Sequence, residues 1–79
     1  MMKVKVYSTP LCPYCTMAKD FLKKHGVKFE DVNVQEDRNA AMEMIKKTGQ
    51  NGVPVIEVDG QIIIGFDMEK LVEVLGLER

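Results

Sequence analysis

The stretch Lys3-Val4-Lys5-Val6-Tyr7-Ser8-Thr9-Pro10-Leu11-Cys12-Pro13-Tyr14-Cys15 decides the fold. Residues 3–7 alternate polar and apolar side chains, which is the two-residue period of a strand. Ser8-Thr9-Pro10 breaks that period. From residue 13 to about residue 25 the spacing becomes helical: Met17, Ala18, Phe21 and Leu22 recur on one side, while Lys19, Asp20, Lys23 and Lys24 fall largely on other faces. Pro13 suits a first helical turn, where its missing N–H is no loss, and Gly26 supplies the stop. Two cysteines therefore sit where a strand hands over to a helix.

That placement gives them chemistry. Cys12 falls at the helix N-cap, where unpaired backbone N–H groups and the positive end of the dipole favour a thiolate over a thiol. Cys12 is therefore the expected nucleophile. Cys15, one turn inside, is expected to be the more buried resolving thiol that attacks the mixed disulfide. Two intervening residues let a disulfide close across one turn. The same spacing fits half of a zinc site, but structural zinc wants four ligands. No second cysteine pair exists, and the one histidine, His25, lies at the far end of the predicted helix, where it reads as a C-terminal cation. A metal- or iron–sulfur-binding module using Cys12 and Cys15, with a cluster shared between two protomers, is the alternative function from a different class.

Outward from this stretch, residues 27–34 read as a second strand, with Val27, Phe29, the off-phase Val32 and Val34 only partly in register. Residues 35–39 open a second helix that runs to about Thr48, with apolar positions Ala41, Met44 and Ile45 and a stop at Gly49. The Glu36 and Asp37 charges favour the N-terminus of that helix. Residues 54–58 form a third strand, Asp59-Gly60 a two-residue hairpin turn, and Gln61–Ile64 a fourth strand. Asp67 caps a last helix over Met68–Leu75 that ends at Gly76. Met42, Met44 and Met68 read as core filler. The order β-α-β-α-β-β-α predicts an α/β fold, with one four-stranded mixed sheet covered by three helices. Its first β-α-β is a right-handed parallel unit and its last two strands a hairpin. This is the minimal thioredoxin-like arrangement, with residues 1–79 as one domain.

Gly52-Val53-Pro54 is the second site element. A proline entering a strand after a glycine is expected to be cis, since cis peptides are nearly confined to X-Pro bonds. In this arrangement such a turn sits against the disulfide and offers the Val53 backbone N–H and C=O to an incoming peptide.

Composition narrows the class. A chain of 79 residues buries about 60% of its unfolded surface, and a hydrophobic share of 46% is ample for that. Eleven basic against twelve acidic residues leave no electrostatic footprint for nucleic acid or a membrane. Residues 1–8 carry charges among their apolar positions, without the apolar core and cleavage site of a secretory signal. No apolar run approaches the roughly 20 residues of a membrane span. Two cysteines in such a chain point to a reducing, cytoplasmic compartment. There a close pair is more often redox-active or metal-binding than a structural staple.

Over essentially its whole length the sequence resembles the glutaredoxin family, through Cys12-Pro13-Tyr14-Cys15, Gly52-Val53-Pro54 and Gly65-Phe66-Asp67. The resemblance implies a glutaredoxin-type dithiol thiol–disulfide oxidoreductase, an electron carrier reducing protein disulfides or glutathione mixed disulfides. It implies Cys12 as nucleophile, Cys15 as resolving thiol, Pro54 as the cis-proline, and a glutathione groove lined by Tyr14, Val53, Pro54 and Asp67. It further implies a monomer with no tightly bound cofactor or metal, glutathione as a candidate co-substrate, and glutathione or thioredoxin reductase as electron donor. Typical members have Thr-Val-Pro and Gly-Gly where this chain has Gly52-Val53-Pro54 and Gly65-Phe66. Many also carry a lysine shortly before the first cysteine, where this chain has Ser8-Thr9-Pro10-Leu11. Lys19 is the substitute candidate for pairing with a glutathione carboxylate. Gly65-Phe66 looks more like the small redoxins that feed ribonucleotide reductase and are recharged by thioredoxin reductase.

Overall fold

Val4, Val6 and Ser8 face one side of the first strand, Lys5 and Tyr7 the other, and helices cover both sides. The computed structural model describes residues 3–77. Its elements are β1 (Val4–Ser8), α1 (Pro13–Lys24), β2 (Glu30–Asn33), α2 (Arg38–Thr48), β3 (Val55–Val58), β4 (Gln61–Ile64) and α3 (Met68–Leu75). The sheet order is β2-β1-β3-β4. β1 runs parallel to β2, with Val6 opposite Asp31 and Ser8 opposite Asn33. It runs antiparallel to β3, with Val6 opposite Ile56. β3 and β4 form the hairpin, pairing Val58 with Gln61. Asp59 (φ 48°) and Gly60 (φ 88°) take the two positive φ values that a tight turn matching the strand twist requires. Element order and sheet composition are those expected from the sequence.

Two cores sandwich the sheet. On one face Val4, Val6, Ile56, Val58 and Ile63 pack against Ala18 and Leu22 of α1 and Leu71 and Leu75 of α3. On the other, Tyr7 and Val55 pack against Met44 of α2, with Val32, Val34, Val53 and Ile62 around them. Division between two faces explains why Val32 falls out of phase in the sequence. Val27 and Phe29 serve the first core, whereas Val32 and Val34 serve the second. The strand itself is shorter than the apolar pattern suggests, because residues 27–29 approach the sheet without joining it.

The helices bury narrower faces than expected. α1 buries Cys15, Ala18 and Leu22, which follow one another at helical spacing. Met17 lies about 200° around the helix from Cys15 and is half exposed. α2 buries only Met44, while Met42 and Ile45 are exposed, as is Met68 on α3. The core-filler reading therefore holds for Met44 and fails for Met42 and Met68. A polar network supplements the thin apolar face of α2. The Tyr7 hydroxyl donates to Glu43 at 3.1 Å, and Lys47 reaches Glu43 at 3.0 Å and Glu57 at 2.9 Å. The Lys47 hydrogen bonds, the one to Glu57 first and then the one to Glu43, hold its ammonium above its ordinary pKa.

Ends are well defined. Asp37 caps α2 by accepting from the Ala40 N–H at 3.0 Å, and Asp67 caps α3 by accepting from the Lys70 N–H at 3.2 Å. His25 terminates α1, its ring packed on Phe21 at 4.5 Å. Phe21 in turn meets the edge of Phe66 at 5.9 Å, which anchors Phe66 against the first core.

α1 is fastened to the sheet chiefly by side chains with no exposed surface, so its register should be sensitive to them. Leu22→Ala should lower unfolding free energy by about 2–5 kcal/mol, the range for a buried leucine that leaves a cavity. Urea denaturation reads this directly. A loss below about 1 kcal/mol would show that α1 is held by something other than the Leu22 contact.

Candidate active site

Cys12 is the N-cap of α1, with an extended backbone (φ −111°, ψ 107°) and Pro13 at the first helical position. The Thr16 N–H bonds the Cys12 carbonyl at 3.1 Å, closing the first turn. Where serine or aspartate would ordinarily offer oxygen, the Cys12 sulfur accepts the Cys15 N–H at 3.2 Å. The same sulfur lies 3.9 Å from the Val53 carbonyl, to which its thiol donates. Cys12 is partly exposed and Cys15 fully buried, and both are free thiols.

The two thiols differ in character for physical reasons. Burial pushes the Cys15 thiol up to about 11, and its hydrogen bond to the Cys12 sulfur further holds its proton. A hydrogen bond from the Thr9 backbone and the positive charge of Lys19 work in the opposite direction. At neutral pH Cys15 therefore keeps its proton, behind a sulfur that sits among helix-terminal donors.

Val53–Pro54 is a cis peptide bond, as Gly52-Val53-Pro54 suggests, and Pro54 is buried. The Pro54 carbonyl accepts from the Gly65 N–H at 2.8 Å, which ties the approach to α3 to the proline loop. Gly52 has its own partner. The Gln50 carboxamide clamps it from both sides, accepting from the Gly52 N–H at 2.6 Å and donating to the Gly52 carbonyl at 3.3 Å. A Cβ at position 52 would stand 2.7 Å from Gln50 Oε1, the movable end of a flexible side chain.

The structure brings Cys12, Cys15 and Val53 together and places Pro54 directly behind them. Tyr14 projects into solvent beside Cys12, as does Leu11. Asp67 follows the Gly65 tether and caps α3 with one carboxylate oxygen, Oδ1. Sequence reasoning left out two residues on the α1 side of the site, Ser8 and Asp31. Asp31 accepts from the buried Ser8 hydroxyl at 2.9 Å and pairs with Lys19 at 3.1 Å. Ser8 continues the inward phase of Val4 and Val6, so a hydroxyl at that position was the available signal. Among the described residues no group of three or more His, Cys, Asp or Glu side chains is arranged to hold a metal ion. No helix among them is long and apolar enough to cross a membrane.

Comparison with known proteins agrees with this geometry. A family model described as Glutaredoxin matches residues 4–63. A glutaredoxin-like 8.6 kDa protein from the rubredoxin operon of Clostridium pasteurianum is 47% identical over 73 residues, covering 89% of this chain and 97% of that protein. Glutaredoxin 3 of Escherichia coli K12 is 39% identical over 67 residues, covering 85% and 81%. A crystal structure of a mutant of the thioredoxin-like protein BC3987 superposes with a TM-score of 0.92 at 35% identity, covering 99% and 100%. With its cysteine pair at a strand–helix junction and a cis-proline behind it, the chain is a thiol–disulfide redox protein, and it belongs to the glutaredoxin family.

Proposed function

We propose that this protein reduces disulfides of other proteins, and glutathione mixed disulfides, through a Cys12/Cys15 dithiol cycle in a reducing compartment. One observation carries the reading: a partly exposed sulfur at a helix start, 3.2 Å from the Cys15 N–H, with a second, buried thiol hydrogen-bonded behind it. The Cys12 thiolate attacks one sulfur of a substrate disulfide, and the other sulfur leaves with the bonding electron pair. The Cys15 thiol then loses its proton, and its thiolate attacks the Cys12 sulfur. The second substrate sulfur departs as a thiolate and the Cys12–Cys15 disulfide remains. Two electrons and two protons from a reductant restore the dithiol. The Cys15 N–H stays directed at the Cys12 sulfur while it serves as nucleophile and as the leaving group in the reductive half.

For the reductant, glutathione is the weaker of the two candidates. Four residues, Tyr14, Val53, Pro54 and Asp67, remain for a glutathione groove, and Asp67 already gives one carboxylate oxygen to its helix cap. Lys19, the substitute cation for a glutathione carboxylate, is paired with Asp31. Phe66 packs inward onto Phe21. These features favour thioredoxin reductase as the principal donor, with glutathione a poor one.

Two experiments test the proposal. At neutral pH iodoacetamide should label Cys12 well before Cys15; Cys12→Ser should abolish exchange, and Cys15→Ser should accumulate a mixed disulfide on Cys12. Labelling of Cys15 first would reverse the assigned roles. For the donor, turnover with glutathione and its reductase should be modest beside turnover with thioredoxin reductase and NADPH. A charge-assisted hydrogen bond contributes about 1.5–3 kcal/mol when desolvated and less in an open groove. Thr9→Lys should therefore raise glutathione-driven turnover by up to about tenfold. Efficient glutathione turnover by the wild-type protein, unchanged by Thr9→Lys, would show that the missing contacts do not matter.

A further inference from the structure

We infer that Lys19, fixed between α1 and β2 by Asp31, is a positioning residue that presents a cation to the resolving thiol Cys15. The inference rests on the assignment of Cys15 as the resolving thiol. It concerns the step that the site makes hardest, because a fully buried thiol must become a thiolate before it can attack.

Helical geometry sets the two residues side by side. Lys19 follows Cys15 by four positions, about 40° around α1 and one turn along it. Left alone, a lysine there would swing into solvent and hold no fixed field. Here its ammonium bonds Asp31 at 3.1 Å and its side chain is mostly covered, 22% exposed. Asp31 is itself held, because Ser8 donates to its other oxygen at 2.9 Å from a position 2% exposed. The residue after Ser8 is Thr9, whose backbone hydrogen-bonds the Cys15 thiol. Three elements thus meet at the Lys19–Asp31 pair, one turn along α1 from Cys15: the end of β1, the face of β2 and the second turn of α1. The groups bearing on Cys15 are Cys12 and Lys19 from α1, with Asp31 from β2 bonded to the lysine. Burial and Cys12 raise the Cys15 pKa, while the Thr9 backbone and, to a smaller extent, Lys19 lower it.

In the mixed disulfide Cys12–S–S–R, the Cys15 proton passes to water and the thiolate pair attacks the Cys12 sulfur. The bond to R breaks, and RS⁻ leaves with its electrons and takes up a proton. Lys19 stays protonated throughout. Its part is to stabilise the transient thiolate, so its removal should affect resolution and leave the first attack by Cys12 alone.

Single-turnover reaction with dipyridyl disulfide separates the steps. This uncharged probe makes encounter insensitive to the lysine charge, and each step releases one coloured pyridinethione. Lys19→Met should leave the first release unchanged and slow the second severalfold, with its pH profile moved upward. Lys19→Arg, which keeps the charge, should resolve at close to the wild-type rate. The inference is overturned if Lys19→Met resolves with wild-type rate and pH profile, or if both releases slow together. A Cys15→Ser variant that still releases two equivalents would instead overturn the assignment of Cys15 beneath it.

Discussion

A sulfur in place of an oxygen at the start of α1 is the interaction on which the site depends. By accepting the Cys15 N–H, Cys12 does the structural work of an N-cap and keeps its sulfur at the positive end of a helix. Stability and chemistry are thereby coupled at one position. Pro13 adds to this by fixing the first helical residue without contributing another N–H.

The rest of the fold serves to hold that junction against a rigid backing. β1 is central in the sheet and leads directly to Cys12, and its two neighbours, β2 and β3, bring Asp31 and Pro54 to the same end. α1 is pinned through Ala18 and Leu22, while the hydrogen bond from Gly65 to the Pro54 carbonyl joins the proline loop to the start of α3. The α2 face is built differently, from one buried methionine and a charged network around Lys47. It stands on the side of the sheet away from α1. One face therefore carries the dithiol and the other steadies the sheet beneath it.

Most of the architecture is legible in the sequence because each boundary has a local cause. Pro13, Gly26, Asp37, Gly49, Asp59-Gly60, Asp67 and Gly76 all mark ends that the structure retains. Periodicity failed where two faces compete for one segment: residues 27–34 change face between Phe29 and Val32, so a single period cannot describe them. Hydrophobicity alone also misplaced Met17, Met42 and Met68, which are apolar but lie on outward helix faces. At the site, Cys12, Cys15 and the cis bond at Pro54 could be read from short motifs. Asp31 and Gln50 could not, because each acts through a tertiary or loop contact that leaves no spacing in the sequence. Ser8 left one signal, a hydroxyl in the inward phase of Val4 and Val6.

The central claim is a division of labour between an outer attacking sulfur and an inner resolving one. The most direct measurement is acid quenching of the reduced wild-type protein at successive times after mixing with a peptide disulfide, followed by mass-spectrometric mapping of the adduct. The account predicts a transient peptide adduct on Cys12 alone, which gives way to a Cys12–Cys15 disulfide. An adduct on Cys15, or one on Cys12 that persists without closing the disulfide, would contradict it.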